Sequence, residues 1–329
     1  MVKILITGAT GFIGNHLIQH LLQKNVTIRA LIRDTKKSTN LPKEIEIVEG
    51  DLTNADSLHG ICTGIETVYH LAGYAHAWAD NNPAFTNQHN SINLQGSKNI
   101  LNEAIRSNVK KFIFFSSVKA VRDSEQCIDE QYISPPNSPY GIAKREAEKW
   151  ILDTAKTHKI HACILRPSLV YGPAWKGNLD SMLRSIDRGY FPPLPETHNR
   201  RSLISVTDIC HAALLAADNP KANGQIYFVT DGQYYSTREL YVLMRQALGK
   251  QVPRWHVPLW FFKVLASIGD IGKKMTGRRL PFNSDAMSKL FGSAQYDSQA
   301  IQRDLGFKPN YDLQKMLPDI IAAYRNQLT

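Results

Sequence analysis

A chain of 329 residues with 43% hydrophobic and 21% charged residues has an ordinary globular composition, long enough for a large core and a second, smaller region. Fibrous, disordered and disulfide-scaffold classes are excluded. Lys and Arg number 39 against 29 Asp and Glu; the net charge of +10 points to nucleic acid, an acidic membrane surface or a phosphorylated small molecule as partner.

In chain order, Val2 to Thr7 is an apolar run too short for a signal peptide, and it leads directly into a glycine-rich turn. Similar β-branched or aromatic runs follow at Val26 to Ile32, Ile45 to Val48, Thr67 to Leu71, Phe112 to Ser116 and Ile160 to Leu165. Such runs read as strands buried on both faces. Between them, Phe12 to Gln23 and Asn93 to Ser107 carry apolar residues near a 3.6-residue period. This alternation predicts an α/β fold, a doubly wound parallel sheet of the Rossmann kind over residues 1–170, with ligands at the carboxyl ends of the strands. Prolines then punctuate shorter pieces. Residues 171–329 are expected to form mainly a substrate-binding region, with Ile226 to Thr230 returning one strand to the main sheet. Val257 to Ile271 is interrupted by Lys263 and Asp270 and falls short of the ~20 apolar residues of a spanning helix. Cys62, Cys127, Cys163 and Cys210 show no Cys-x-x-Cys spacing, which fits a reducing cytoplasm. His16 and His20 lie four apart on the first helix without a further ligand, so no metal is expected.

The first strand runs into Thr7-Gly8-Ala9-Thr10-Gly11-Phe12-Ile13-Gly14 and then a helix. Glycines at this spacing let the backbone turn tightly and approach a pyrophosphate, while the helix start offers free N–H groups. Gly8, Thr10, Gly11, Phe12, Ile13 and Gly14 are therefore candidate dinucleotide contacts. The second strand ends in Arg33-Asp34, with Lys36 and Lys37 close behind. Arg33 suits the 2′-phosphate of NADP; the alternative is that Arg33 is a solvated charge and Asp34 takes the ribose of NAD. Asp51-Leu52 follows the third strand, where the carboxylate either accepts from an adenine amino group or caps a helix.

Ser116-Ser117 closes one strand, and Tyr140-Gly141-Ile142-Ala143-Lys144 opens a helical stretch. Four residues apart, Tyr140 and Lys144 share a helix face. A phenol is a poor base at neutral pH, and a nearby ammonium lowers its pKa into a usable range.

Together with the glycine turn, the motifs His70-Leu71-Ala72-Gly73, Asn93-x-x-Gly96-Ser97-x-Asn99, Ser116-Ser117, Tyr140-x-x-x-Lys144 and Arg166-Pro167-Ser168-Leu169-Val170-Tyr171-Gly172-Pro173 make the chain resemble the extended short-chain dehydrogenase/reductases, the nucleotide-sugar epimerase and dehydratase group. The resemblance spans nearly the whole chain. It implies Tyr140 as acid/base, Lys144 on the nicotinamide ribose and lowering the tyrosine pKa, and Ser117 on the reacting oxygen with Ser116 as a less favoured candidate. It also implies Leu71, Ala72 and Gly73 along the cofactor, Pro167 and Ser168 at the nicotinamide, and Asn178 and Arg201 on the substrate diphosphate. Two departures stand out. Ala75 occupies a position where family epimerases often carry lysine, and Ala120-Val121-Arg122-Asp123 replaces the usual Val-Tyr-Gly.

The resemblance implies hydride transfer at C4 of a UDP-sugar in surface-polysaccharide biosynthesis, by a 4-keto-sugar reductase using NADPH or a 4-epimerase retaining NAD, working as a homodimer. A 3β-hydroxysteroid or other lipid dehydrogenase of the same family is one alternative, and a non-catalytic NADP-binding regulator another. Nucleic acid is not expected, because the basic residues form no stripe interleaved with aromatics. Arg254 to Arg279 carries six Lys and Arg against one Asp, a local +5 beside Trp260, Phe261 and Phe262; this stretch is expected to touch a membrane surface or a partner as an amphipathic helix.

Overall fold

The computed structural model describes residues 2–34, 36, 41–75, 83–276, 280 and 282–327. Lys37, Arg278 and Arg279, named above, lie outside them. The apolar runs form strands β1 (Val2–Thr7), β2 (Val26–Ile32), β3 (Glu46–Glu49), β4 (Thr67–His70), β5 (Lys111–Phe115) and β6 (His161–Pro167). With β9 (Ile226–Val229) they make a seven-stranded sheet in the order β3-β2-β1-β4-β5-β6-β9. All its pairings are parallel, with Ile4 opposite Ile28 and Thr67, and Phe114 opposite His70 and Ile164.

Alternate residues feed two cores. Ile4, Ile6, Ile28, Ile113 and Leu165 pack on the face covered by α1 (Phe12–Leu22) and α6 (Val206–Asp218). Leu5, Leu31, Val68, Phe112 and Ile164 pack on the face covered by α3 (Gly96–Arg106) and α4 (Pro139–Thr157). Burial on both faces explains why these strands read as continuous apolar runs.

The halves of the sequence interleave. From the second half, α6 packs on α1, β9 pairs with β6, and α10 (Gln299–Leu305) lies on β9. A third core joins β7 (Leu169–Tyr171) and β8 (Arg201–Ser205) to α5 (Asn178–Asp187), α7 (Thr237–Ala247) and α11 (Leu313–Asn326), with β10 (Tyr234–Tyr235) completing a small sheet. Helices α8 (Leu259–Thr276) and α9 (Ser284–Phe291) pack on each other at its edge.

One predicted element changes form. The periodic stretch 93–107 resolves into α3 preceded by a π-helical segment, His89–Gln95, that continues from α2 (Pro83–Gln88). The Ser97 hydroxyl donates to the Asn93 carbonyl at 2.6 Å, the acceptor that the Ser97 N–H would use in a regular α-helix.

Candidate active site

The chain runs from β1 to β2 and β3 on one side and returns to β4 on the other, so a crevice opens at the carboxyl ends of β1 and β4. A groove of about 380 Å³ occupies it. The first turn contributes Gly8, Thr10 and Gly11; the end of β2, Arg33 and Asp34; the loops after β3 and β4, Asp51, Leu52, Leu71, Ala72 and Gly73. Gly8 has φ +75°, and a Cβ there would stand 2.7 Å from the Ala72 backbone nitrogen. Only glycine allows this turn to lie on that strand end. Helix α1 starts with no side-chain cap and no acid in its first turn, which leaves its leading N–H groups for an anion. This backbone cradle fits a dinucleotide pyrophosphate.

Phe12, Ile13 and Gly14 carry the leading N–H groups of α1, so what they offer the groove is backbone. Phe12 sets its ring against His16 at 5.3 Å, Ile13 packs on the core, and Gly14 is buried where α1 passes the Gly8 carbonyl. Asp34 accepts from the Lys36 N–H at 3.0 Å, while Arg33 is exposed. Asp51 accepts the N–H and the hydroxyl of Thr53, each at 2.8 Å, so part of this carboxylate is committed to its own turn. Those bonds, and then the charge of Arg33, hold its pKa below the usual range.

The reacting end lies where β5 meets α4. Ser138 caps α4 by accepting from the Gly141 N–H at 3.1 Å and Pro139 follows it, which sets Tyr140 in the first turn. Tyr140 faces Ser117, which follows β5 and caps the next turn by accepting from the Lys119 N–H at 3.2 Å. Burial raises the Tyr140 phenol above its ordinary value, the Ser117 hydroxyl opposes this, and the Glu148 charge raises it again. The net lowering expected from Lys144 is not seen, since burial outweighs it; the Lys144 ammonium donates to the Phe115 carbonyl at 2.9 Å and lies 4.5 Å from the Phe114 ring centre. Burial brings Lys144 down to about 8, with Glu148 opposing the shift. A Cβ on Gly73 would stand 3.4 Å from the Lys144 nitrogen, so the ammonium borders the groove floor.

Ser116 and Ser117 do different things. Buried Ser116 donates its hydroxyl to Glu148 at 2.5 Å and its N–H to the Leu165 carbonyl at 2.8 Å, so this side chain is turned away from Tyr140. The same carboxylate takes the Arg166 guanidinium through two bonds of 2.9 and 2.6 Å. Pro167, next along, is buried at the end of β6.

A second polar chain runs along the other wall. Because Ser97 donates to the Asn93 carbonyl, its oxygen accepts from His70 Nε2 at 2.9 Å, and His70 Nδ1 accepts the Thr7 hydroxyl at 2.6 Å. Burial pushes His70 down to about 3, which makes it a neutral connector. Asn93 clasps the Tyr74 N–H and carbonyl at 2.7 and 2.9 Å and meets His89 at 3.2 Å. The His89 ring stands 5.6 Å from the Tyr140 ring. Sequence reasoning assigned no role to His89, Tyr74 or the Glu148–Arg166 pair; a glutamate four residues after Lys144 was the available signal.

Among the residues expected on a substrate, Asn178 is exposed at the start of α5. Arg201 opens β8 and donates to the carbonyls of Lys289 and Gly292 at 2.5 and 3.2 Å. Parallel β7 and β8 align Tyr171 with Ser205, so Arg201 enters β8 at the end opposite to that from which the chain leaves for Asn178, a strand rise of about 13 Å. Asp123, in the loop that departs from the family pattern, pairs with Lys119 and lends its negative field to Arg201.

A family model described as the NAD dependent epimerase/dehydratase family matches residues 4–229. The chain is 31% identical over 330 residues to a UDP-glucose 4-epimerase of Vibrio cholerae, covering 98% of this chain and 95% of that one. It is 27% identical over 318 residues, 96% of this chain and 93% of the other, to an N-acetyl-alpha-D-glucosaminyl-diphospho-ditrans,octacis-undecaprenol 4-epimerase of Escherichia coli O157:H7. Its fold superposes, with TM-score 0.80, 23% identity and full coverage of both chains, on a UDP-glucose 4-epimerase of Thermotoga maritima solved with UDP-glucose.

Proposed function

Because the chain belongs to the NAD dependent epimerase/dehydratase family and is an enzyme of the extended short-chain dehydrogenase/reductase type, we propose that it acts at C4 of a UDP-sugar, as a 4-epimerase or a 4-keto-sugar reductase. The observation that carries this reading is the meeting of Tyr140, Ser117 and Lys144 beside the dinucleotide groove. Bound in that groove, a nicotinamide dinucleotide would take a hydride from the sugar carbon or give one to it.

The chain's own residues move the proton. Tyr140 exchanges it with the sugar oxygen through its phenol, and Ser117, beside that phenol, steadies the same oxygen. Burial keeps Tyr140 protonated at rest, the form that gives a proton to the sugar oxygen, and Lys144 on the groove floor is placed to hold the nicotinamide ribose. Arg33 supports NADP as the cofactor, with Asp34 supporting NAD as the second reading. A place in surface-polysaccharide sugar synthesis is supported by the relative that acts on an undecaprenol diphosphate sugar.

Tyr140→Phe should lower interconversion of UDP-glucose and UDP-galactose, or reduction of a UDP-4-keto-sugar, by about 10²–10⁴-fold while NAD(P) binding stays near the parent value. An active Tyr140→Phe enzyme would overturn the assignment. Failure of any UDP-sugar to bind the parent, with retained turnover of a steroid alcohol, would favour the lipid dehydrogenase reading.

A further inference from the structure

Helix α8 presents two unlike faces. Phe262, Ala266 and Gly269 are buried, with Phe262 lying 5.9 Å from Phe282 and 5.1 Å from Phe291 of α9. On the other side, Trp260, Phe261, Val264, Ile268, Ile271 and Met275 are between 46% and 81% exposed. At about 100° per residue these six fall within a sector roughly 100° wide, the width of stripe that a helix ordinarily buries. No helix among the described residues is long and apolar enough to cross a membrane.

We infer that α8 docks the protein on the surface of an anionic lipid bilayer, lying in the plane of the headgroups with this stripe inserted. Charge selects the occupant. Arg254 to Arg279 carries six Lys and Arg against Asp270 alone. Asp270 accepts the N–H and hydroxyl of Ser284, which turns it toward α9, while Lys263 is exposed on the border of the stripe. Trp255, 64% exposed just before the helix, adds an aromatic suited to the interface. A second copy on the same face would set two segments of +5 against each other, whereas anionic headgroups complement them. The opposite, buried face of α8 leads toward Arg201: Phe291, which supports Phe262, precedes the Gly292 carbonyl that holds this arginine. The inference does not depend on the reaction proposed above.

The test is cosedimentation of the full chain with phosphatidylcholine vesicles, with and without phosphatidylglycerol. Binding should require the anionic lipid, weaken with added salt, and fall at least about tenfold in the double variant Val264→Glu, Ile268→Glu. Both positions are exposed, so its melting temperature should match the parent. Absence of binding to anionic vesicles overturns the inference, as does equal binding by the double variant. A dimer that this variant dissolves, without vesicle binding by the parent, identifies a second copy as the occupant instead.

Discussion

Replacing Glu148 by glutamine tests the buried charge network behind Tyr140. The carboxylate is 2% exposed and takes the Ser116 hydroxyl and two N–H groups of Arg166, which is itself 4% exposed. Glutamine keeps the shape and one acceptor but leaves the guanidinium without a counter-charge. Removing one partner of a buried pair costs about 3–5 kcal/mol, a large share of a total stability of about 5–15 kcal/mol. At about 2 °C per kcal/mol for a chain of this size, melting should fall by roughly 6–10 °C. Glu148 is also the charge that opposes the downward shift of Lys144, so without it the ammonium pKa drops below about 8 and Lys144 is less protonated at neutral pH. Scanning calorimetry of Glu148→Gln, Arg166→Met and the double variant measures the pair, and a pH–rate profile measures Lys144. The double variant should recover most of the loss, because neither ion is then left alone. A single variant melting within about 2 °C of the parent, or a double variant melting below both singles, would refute the reasoning.

Arg33→Ala should weaken NADP by about 10–100-fold and NAD much less, read by titration of each cofactor; equal losses would mean that Arg33 does not read the 2′-phosphate. Burial raises Asp231 from 3.8 to about 6, although it accepts from the Gln233 N–H and from the hydroxyls of Tyr171 and Tyr235. A raised carboxyl stabilises the fold below its unfolded pKa, and this contribution, about 3 kcal/mol, is lost as pH rises from 4 through 6. Asp231→Asn should therefore gain stability relative to the parent over that window in denaturant titrations; parallel curves would contradict the shift. Arg201→Ala should abolish saturable UDP-sugar binding while leaving cofactor binding intact, and unchanged UDP-sugar binding would remove Arg201 from the substrate site.

The parallel sheet was legible because strands covered on both faces leave uninterrupted apolar runs, and the glycine turn because its spacing answers a backbone need. Tyr140 and Lys144 were legible for a related reason: helix spacing puts them on one side whatever surrounds the helix. Other features needed coordinates. Glu148, on the same helix, reads as a surface charge until Arg166 is seen to close on it from β6. The π-helical turn at His89 leaves no mark on a 3.6-residue pattern, so its approach to Tyr140 was out of reach. The adjacent serines look equivalent in sequence, yet Ser116 serves Glu148 and Ser117 faces Tyr140, because the backbone past β5 is still extended at Ser117 and turns successive side chains to opposite sides. The charge and aromatics around α8 marked it as amphipathic, but which of its apolar residues stay exposed needed the packing of Phe262 on α9.

The late arrival of β9 has a consequence for synthesis of the chain. As residues emerge from the ribosome, β1 to β6 can assemble first, but β9 begins at Ile226, roughly sixty residues after β6 ends at Pro167. At about 5–20 residues per second, the apolar edge of β6 waits some 3–12 s for its neighbour. During that interval its unpaired N–H and C=O groups are open to strands of other nascent chains, as exposed sheet edges are. Expression at reduced temperature, or with a chaperone that shields nascent strands, should raise the soluble yield more than changes to the finished surface would.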